Sequence, residues 1–233
     1  MRIVLKFGSG ILASRSGSTL DEAQFSRLSA EVAGLVSAGH ECILVSSGAV
    51  AAGLRSLGLR ERPEDLSARQ ACAAVGQSKL MALYAAEFGK HGLTVGQLLL
   101  THGDLDSRSR HANVRATLTR LLECGSVVPI INENDSVATE ELRFGDNDRL
   151  SAEVAVLAGA DALVLLTSVE GLLDPKGRLS VGGMVSKLQA VKLAVDAGIT
   201  TWIASGRRKG QIPAIAIGRA VGTRFPGRRA GEM

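Results

Sequence analysis

A chain of 233 residues that is 45% hydrophobic and 21% charged has the material for one large globular domain with a sizeable core, and it is neither disordered nor fibrous. With only 3% aromatic residues and no apolar run of membrane-spanning length, neither nucleic acid nor a membrane is an expected partner. The net charge of +4 is modestly basic, and its excess over 207–229 serves either phosphate attraction or a solvated surface, the latter for Arg219, Arg224, Arg228 and Arg229.

Residues 2–7 form a compact apolar run that predicts a buried strand, and it passes Lys6 into Gly8-Ser9-Gly10. Glycines there permit close backbone approach and free N–H groups for an anion, while Lys6 adds a mobile point charge. The other reading of Lys6 is an exposed strand-end lysine, since the residue order is not that of a Walker A loop. Thr19-Leu20-Asp21-Glu22 has the capping-box pattern, and Phe25, Leu28, Val32, Leu35 and Val36 then share one helical face up to Gly39. Residues 41–46 give the next strand, which leads through Ser47-Gly48 into a small-residue helix. That junction either holds an anion on backbone N–H groups or serves tight helix packing. Residues 57–66 read as a surface excursion and 67–88 as a long helix. Gly76 in its interior costs about 1 kcal/mol relative to alanine, which points to close approach of a neighbour or ligand beside Gln77. A strand follows at 94–101, then a charge-rich loop at 104–115 and an amphipathic helix ending at Gly125.

The β-branched run 127–131 predicts a buried strand that stops in a polar knot, Asn132-Glu133-Asn134-Asp135. Residues 137–144 alternate weakly, as a hairpin would, and end in a second knot, Gly145-Asp146-Asn147-Asp148. Folded together at the carboxyl edge of a parallel sheet, the two knots can orient a small polar substrate. Singly, each also fits an ordinary Asx-rich turn. A helix at 150–157 precedes an apolar strand at 162–167, and Gly182-Gly183-Met184 opens a helix over 185–197. Ser186 and Lys187 lie in its first turn, where free N–H groups, helix dipole and cation coincide. Strands at 200–204 and 221–225, with 209–217 between them, bring the count to about seven strand and helix alternations, which predict an α/β fold, a three-layer αβα sandwich on a mainly parallel sheet. Residues 1–226 make one domain and 227–233 a basic tail. Cys42, Cys72 and Cys124 have no metal-ligand spacing and read as buried or half-buried thiols in a reducing compartment. The first residues lack the apolar stretch of a signal peptide, so the expected location is the cytoplasm.

Six segments in order, VLKFGSG at 4–10, VSSGAVAAG at 45–53, QACAAVGQSKL at 70–80, INENDSVAT at 131–139, FGDNDRLSA at 144–152 and GGMVSKLQA at 182–190, resemble the glutamate 5-kinase branch of the amino acid kinase family. The pairing of INEND with GDND is the specific element, because branches acting on N-acetylglutamate, aspartate, carbamate or UMP are expected to share only the fold and the glycine loops. The resemblance implies ATP- and Mg²⁺-dependent phosphorylation of the L-glutamate side chain, the committed step toward proline. It implies that Lys6 and Lys187 neutralise the phosphoryl group in flight and that Asp148 holds them. Ser47, Asp135, Asp146 and Asn147 would bind glutamate. Lys6, Gly8, Thr167, Ser168 and the run Val181, Gly182, Gly183, Met184, Val185, Ser186, Lys187 would line the nucleotide site. Proline as feedback inhibitor and a homo-oligomer, dimer or tetramer, are further family expectations, with the 104–115 loop as a surface for either.

The chemistry agrees with these residues. A glutamate side chain has a pKa of about 4.3, so the nucleophile is already ionised at neutral pH and no general base or protein-bound metal is called for. Two anions must still meet, which places the burden on positioning and charge neutralisation. The alternatives are a sister kinase for N-acetylglutamate or aspartate, and a non-catalytic glutamate or nucleotide sensor. Three departures from the family pattern stand out: Ser168 where aspartate is frequent, a short segment between Asp174 and Gly182, and an end at Met233, so that no C-terminal RNA-modification-type (PUA) domain is expected.

Overall fold

The computed structural model describes residues 1–14, 19–137, 146–169, 172 and 183–228. The chain opens with β1 (Arg2–Phe7), a short helical turn α1 (Ser9–Leu12) and helix α2 (Glu22–Ser37). The cap of α2 is Asp21, whose carboxylate accepts from the Gln24 N–H at 3.1 Å. The expected capping box at Thr19 is therefore not formed: the cap sits two residues later, and Thr19 donates instead to Ser14 Oγ at 2.9 Å. Next come β2 (Glu41–Val45), α3 (Ala49–Leu54), a 3₁₀ turn (Arg55–Leu57) and the long α4 (Leu66–Gly89). Strand β3 (Thr94–Leu100) leads into α5 (His102–Asp106) and α6 (Arg108–Glu123), then β4 (Val127–Glu133). The stretch 104–115 is thus helical rather than a loop: Thr101 and Asp104 close a capping box on α5, and the charges lie on exposed helix faces.

Helix α7 (Asp146–Ala158), β5 (Ala162–Thr167), α8 (Met184–Asp196), β6 (Thr200–Ser205), α9 (Gln211–Ala216) and β7 (Thr223–Phe225) complete the path. Among the described residues the seven strands form one sheet in the order β3-β4-β2-β1-β5-β6-β7, parallel except for the β6–β7 pair. Strand side chains alternate between two apolar layers. Ile3, Leu5 and Phe7 pack with Phe25 and Leu28 of α2, Tyr84 and Phe88 of α4 and Ile212 of α9. Val4, Ile43, Val45, Leu163 and Leu165 pack with Leu118 of α6, Leu150 and Val154 of α7 and Val191 of α8. The αβα sandwich is therefore as expected. Cys42 and Cys72 are buried, whereas Cys124 is exposed at the C-cap of α6. No described helix is long and apolar enough to cross a membrane. The expected hairpin beyond residue 137 and the tail beyond residue 228 lie outside the described residues.

Two glycines bring α3 and α4 into backbone contact. A Cβ on Gly76 would overlap the Ala49 carbonyl oxygen, and one on Gly53 would overlap the Cys72 carbonyl oxygen. The glycine in mid-α4 thus answers to a neighbouring helix, and it sets the next residue, Gln77, close to the loop between β2 and α3. Gly34, by contrast, faces open space from an exposed position in α2. Urea denaturation is expected to show Gly76→Ala destabilised by about 1–3 kcal/mol through overpacking, and Gly34→Ala stabilised by about 0.5–1 kcal/mol through helix propensity. Equal effects at the two sites would contradict this packing.

Candidate active site

All six parallel strands end at the same edge of the sheet, and β1 is the strand from which the chain departs first toward β2 and later, across it, toward β5. A crevice opens at such a reversal of strand order. Lys6 sits there with Val45 and Leu165 as its register neighbours. Two residues beyond Val4, it points into the same α7–α8 layer, which explains why a lysine in an apolar strand is buried rather than exposed.

In that layer Lys6 Nζ stands 2.7 Å from Asp148 Oδ1, and Lys187 Nζ stands 3.1 Å from Asp148 Oδ2. Ser186 Oγ donates to the same Oδ2 at 3.0 Å. Asp148 occupies the first turn of α7, where the helix dipole favours a carboxylate. Lys187 occupies the first turn of α8, where the dipole opposes a cation and the Asp148 carboxylate offsets it. Burial works to raise the Asp148 carboxyl, but Lys6 and then Lys187 outweigh it and hold the group below 3.8. Burial also lowers the Lys6 ammonium, against the pull of Asp148. The buried trio carries two cations and one anion. Two lysines oriented on one carboxylate at the sheet edge give a placement that suits the binding of an anionic group.

A second set of side chains adjoins through Asn147, the residue before Asp148. Its Nδ2 donates to Ser47 Oγ at 3.0 Å and to Asn132 Oδ1 at 3.3 Å. Asn132, almost fully buried at the end of β4, donates from Nδ2 to Gln77 Oε1 at 2.8 Å. Ser47 precedes Gly48, whose φ of 101° starts α3 and favours glycine. The two polar knots do meet, but through the first turn of α7, which begins four residues before the expected start of that helix. Residues 146–148 of the second knot are helix rather than turn.

The remaining expected residues divide. Gly8 lies beside Lys6, since a Cβ there would be 3.5 Å from Nζ, and Gly183 lies beside Lys187 at 3.6 Å on the same measure. Thr167 is buried at the end of β5 and Ser168 is exposed, with its Oγ next to Gly10. Arg207 donates to the Gly10 carbonyl at 2.6 Å, which keeps one cation of the basic stretch near this loop. Asp135 is half-buried two residues past β4. The Met184 side chain is buried in the α7–α8 core, which leaves its backbone for the loop before α8. Val185 is 72% exposed, so it is open to a ligand or to solvent. Val181, Gly182, the short 174–182 segment and the Asp146 side chain lie outside what is described. Among the described residues no cluster of His, Cys, Asp or Glu can hold a metal ion, and both Asp148 oxygens face lysines. The described residues thus offer no ligand set for a protein-held Mg²⁺.

Sequence reasoning missed Gln77 as a partner of Asn132, although the glycine before it drew notice, and it read His102 as one of four scattered histidines without pairing it to Glu153. His102, buried at the start of α5, places Nδ1 at 2.8 Å from Glu153 Oε2 on α7, and Glu153 Oε1 accepts from Arg149 at 2.7 Å. Only the fold brings these elements together.

A sequence model of the amino acid kinase family matches residues 1–205. A glutamate 5-kinase of Thermus thermophilus is 45% identical over 254 aligned positions, which cover 98% of this chain and 68% of that protein. The glutamate 5-kinase of Ralstonia pickettii is 43% identical over 252 positions, covering 96% of this chain and 67% of that one. An alignment longer than the 233 residues present means that these relatives carry insertions relative to this chain. In solved structures, the UMP kinase of Bacillus anthracis superposes with a TM-score of 0.65 at 17% identity, covering 98% of this chain and 96% of that one. An isopentenyl phosphate kinase superposes with a TM-score of 0.66 at 20% identity, over 96% of this chain and 99% of that one. At those identities the two structures speak for the fold alone.

The α5–α7 link carries a pH signature. Its hydrogen bond to Glu153 raises His102 above 6.5 against the effect of burial, with Glu133 adding to the rise and Arg149 opposing it. A raised folded pKa means stability that is complete below about 6.5 and is lost as pH climbs through the folded value. Thermal melts from pH 5.5 to 9 are therefore expected to show the Tm advantage of the native chain over His102→Gln shrinking as pH rises. A difference independent of pH would contradict the charged pair.

Proposed function

This chain belongs to the amino acid kinase family, in its glutamate 5-kinase branch, and on that premise we propose how the site works. The reaction is transfer of the γ-phosphoryl group of ATP to the side-chain carboxylate of L-glutamate, giving glutamyl 5-phosphate and ADP, the first step of proline biosynthesis. A carboxylate oxygen attacks the γ-phosphorus in line. The new O–P bond forms as the bond to the β,γ-bridging oxygen breaks, and that electron pair leaves with ADP. No proton moves, and none of the described site residues is needed as a base.

The observation that carries this reading is the trio of Lys6, Asp148 and Lys187. Two ammonium groups from the ends of β1 and α8 are held by one carboxylate beside a cluster of amides, so two oriented cations stand next to a place for a small polar acceptor. Charge that develops on the transferring group meets cations already oriented, which need not reorganise as the reaction proceeds. Ser47, Asn147, Asp135 and Asp146 are assigned to glutamate. Gly8, Thr167, Ser168 and the 181–187 segment are assigned to the nucleotide. Mg²⁺ arrives bound to the phosphates of ATP. Proline as feedback ligand, a homo-oligomer and a cytoplasmic location come with the same reading.

The deciding assay offers ATP and Mg²⁺ with L-glutamate, N-acetylglutamate, aspartate or UMP and traps the acyl phosphate as hydroxamate. Turnover confined to another acceptor would move the chain to a sister activity, and binding without hydroxamate would make it a sensor. Lys187→Ala is expected to lower kcat by about 100-fold or more with the glutamate KM changed by less than about 3-fold, since its partner is the moving phosphoryl group. Asn147→Ala is expected to raise the glutamate KM by about 10-fold with a small change in kcat. The reverse pattern would overturn the two roles.

A further inference from the structure

The chain of side-chain amides behind the acceptor site has a direction. It starts at the Glu133 N–H, which can only donate, and which reaches Asn132 Oδ1 at 3.0 Å. That contact orients the Asn132 amide, so its Nδ2 is the group that meets Gln77 at 2.8 Å, and the Gln77 atom there must be Oε1. The Gln77 Nε2 is left over, buried and without a hydrogen-bond partner. On the other side, the two protons of Asn147 Nδ2 go to Ser47 Oγ and Asn132 Oδ1. This leaves Asn147 Oδ1, also buried and without a hydrogen-bond partner.

One network therefore ends in an unfilled donor and an unfilled acceptor. Leaving a buried polar group unsatisfied costs about 1–3 kcal/mol, and two in one network need a common reason. A ligand with an anionic oxygen for Gln77 and an N–H donor for Asn147 would fill both. An α-amino acid in its zwitterionic form carries that pair on one carbon. Gln77 is held in place for the task, because Gly76 beside it packs against the Ala49 carbonyl in the first turn of α3, next to Ser47.

We infer that Gln77 is a specificity-determining residue whose Nε2–H donates to the α-carboxylate of the acceptor, while Asn147 Oδ1 accepts from its α-ammonium. This rests on the glutamate kinase reading and adds the end of the substrate that the site selects. The side chain that undergoes phosphorylation then points away from the amides toward Lys6 and Lys187.

Gln77→Glu is the informative variant, since it keeps an oxygen for Asn132 and replaces the donor with a like charge for the α-carboxylate. Calorimetric binding is measured for L-glutamate, for glutarate, which lacks the ammonium, and for 4-aminobutyrate, which lacks the α-carboxylate. Gln77→Glu is expected to weaken L-glutamate and glutarate by about 10- to 100-fold, as loss of a hydrogen bond to a charged group would, and to leave 4-aminobutyrate within about 3-fold. Equal weakening of all three, or no change for L-glutamate, would overturn the role of Gln77 even if the native chain turns glutamate over. A native chain that binds none of the three would instead remove the glutamate reading, and this inference with it.

Discussion

The carboxylate of Asp148 is the interaction on which the site depends. Each of its oxygens faces a different buried ammonium, one from β1 and one from α8, and the two cations would repel one another without it. Removing one partner from such a buried arrangement leaves uncompensated charge, which is far more unfavourable than losing a surface ion pair. The same carboxylate begins α7, so the orientation of that helix, of α8 and of the sheet edge are coupled at one atom group. Pre-assembly of this kind suits a reaction in which the nucleophile is already ionised and the difficulty is the approach of two anions.

Asn147 and Asp148 are consecutive in the first turn of α7, yet they serve different halves of the site. Asp148 turns into the layer beneath the sheet edge toward the two lysines, while Asn147 reaches across to Ser47 and Asn132. Placing the phosphoryl and acceptor halves on neighbouring residues of one rigid turn fixes their spacing more closely than two loops would. The close packing of α3 on α4 through Gly53 and Gly76 does the same for Ser47 and Gln77. The His102–Glu153 pair then ties α5 to the outer part of α7, so the helix that carries both halves is anchored at two places.

Much of the fold was legible because strand periodicity and turn residues are local. The apolar runs at β1 and β5 kept their expected bounds, and the parallel order followed from alternating strands and helices. The misreadings were local too. Asp21 rather than Thr19 caps α2, the charged 104–115 stretch is helical because its charges sit on exposed faces, and Asp146-Asn147-Asp148 reads like a turn although it is the start of a helix. In each case polar residues satisfy turn and helix-start geometry equally well, and the surrounding contacts decide.

By itself the sequence determined the residue types the chemistry needs, the glycine-flanked lysines, the two amide-and-acid knots, and the sandwich that gathers strand ends along one edge. Tertiary structure alone decided which of these meet. It paired Lys6 with Lys187 through Asp148, turned Met184 into the core, and joined Gln77 and His102 to residues dozens of positions away. The physical reason is range: propensity and periodicity act over a few neighbours along the chain, whereas the charge compensation and amide pairing of this site act between elements that only a completed sheet brings within hydrogen-bonding distance.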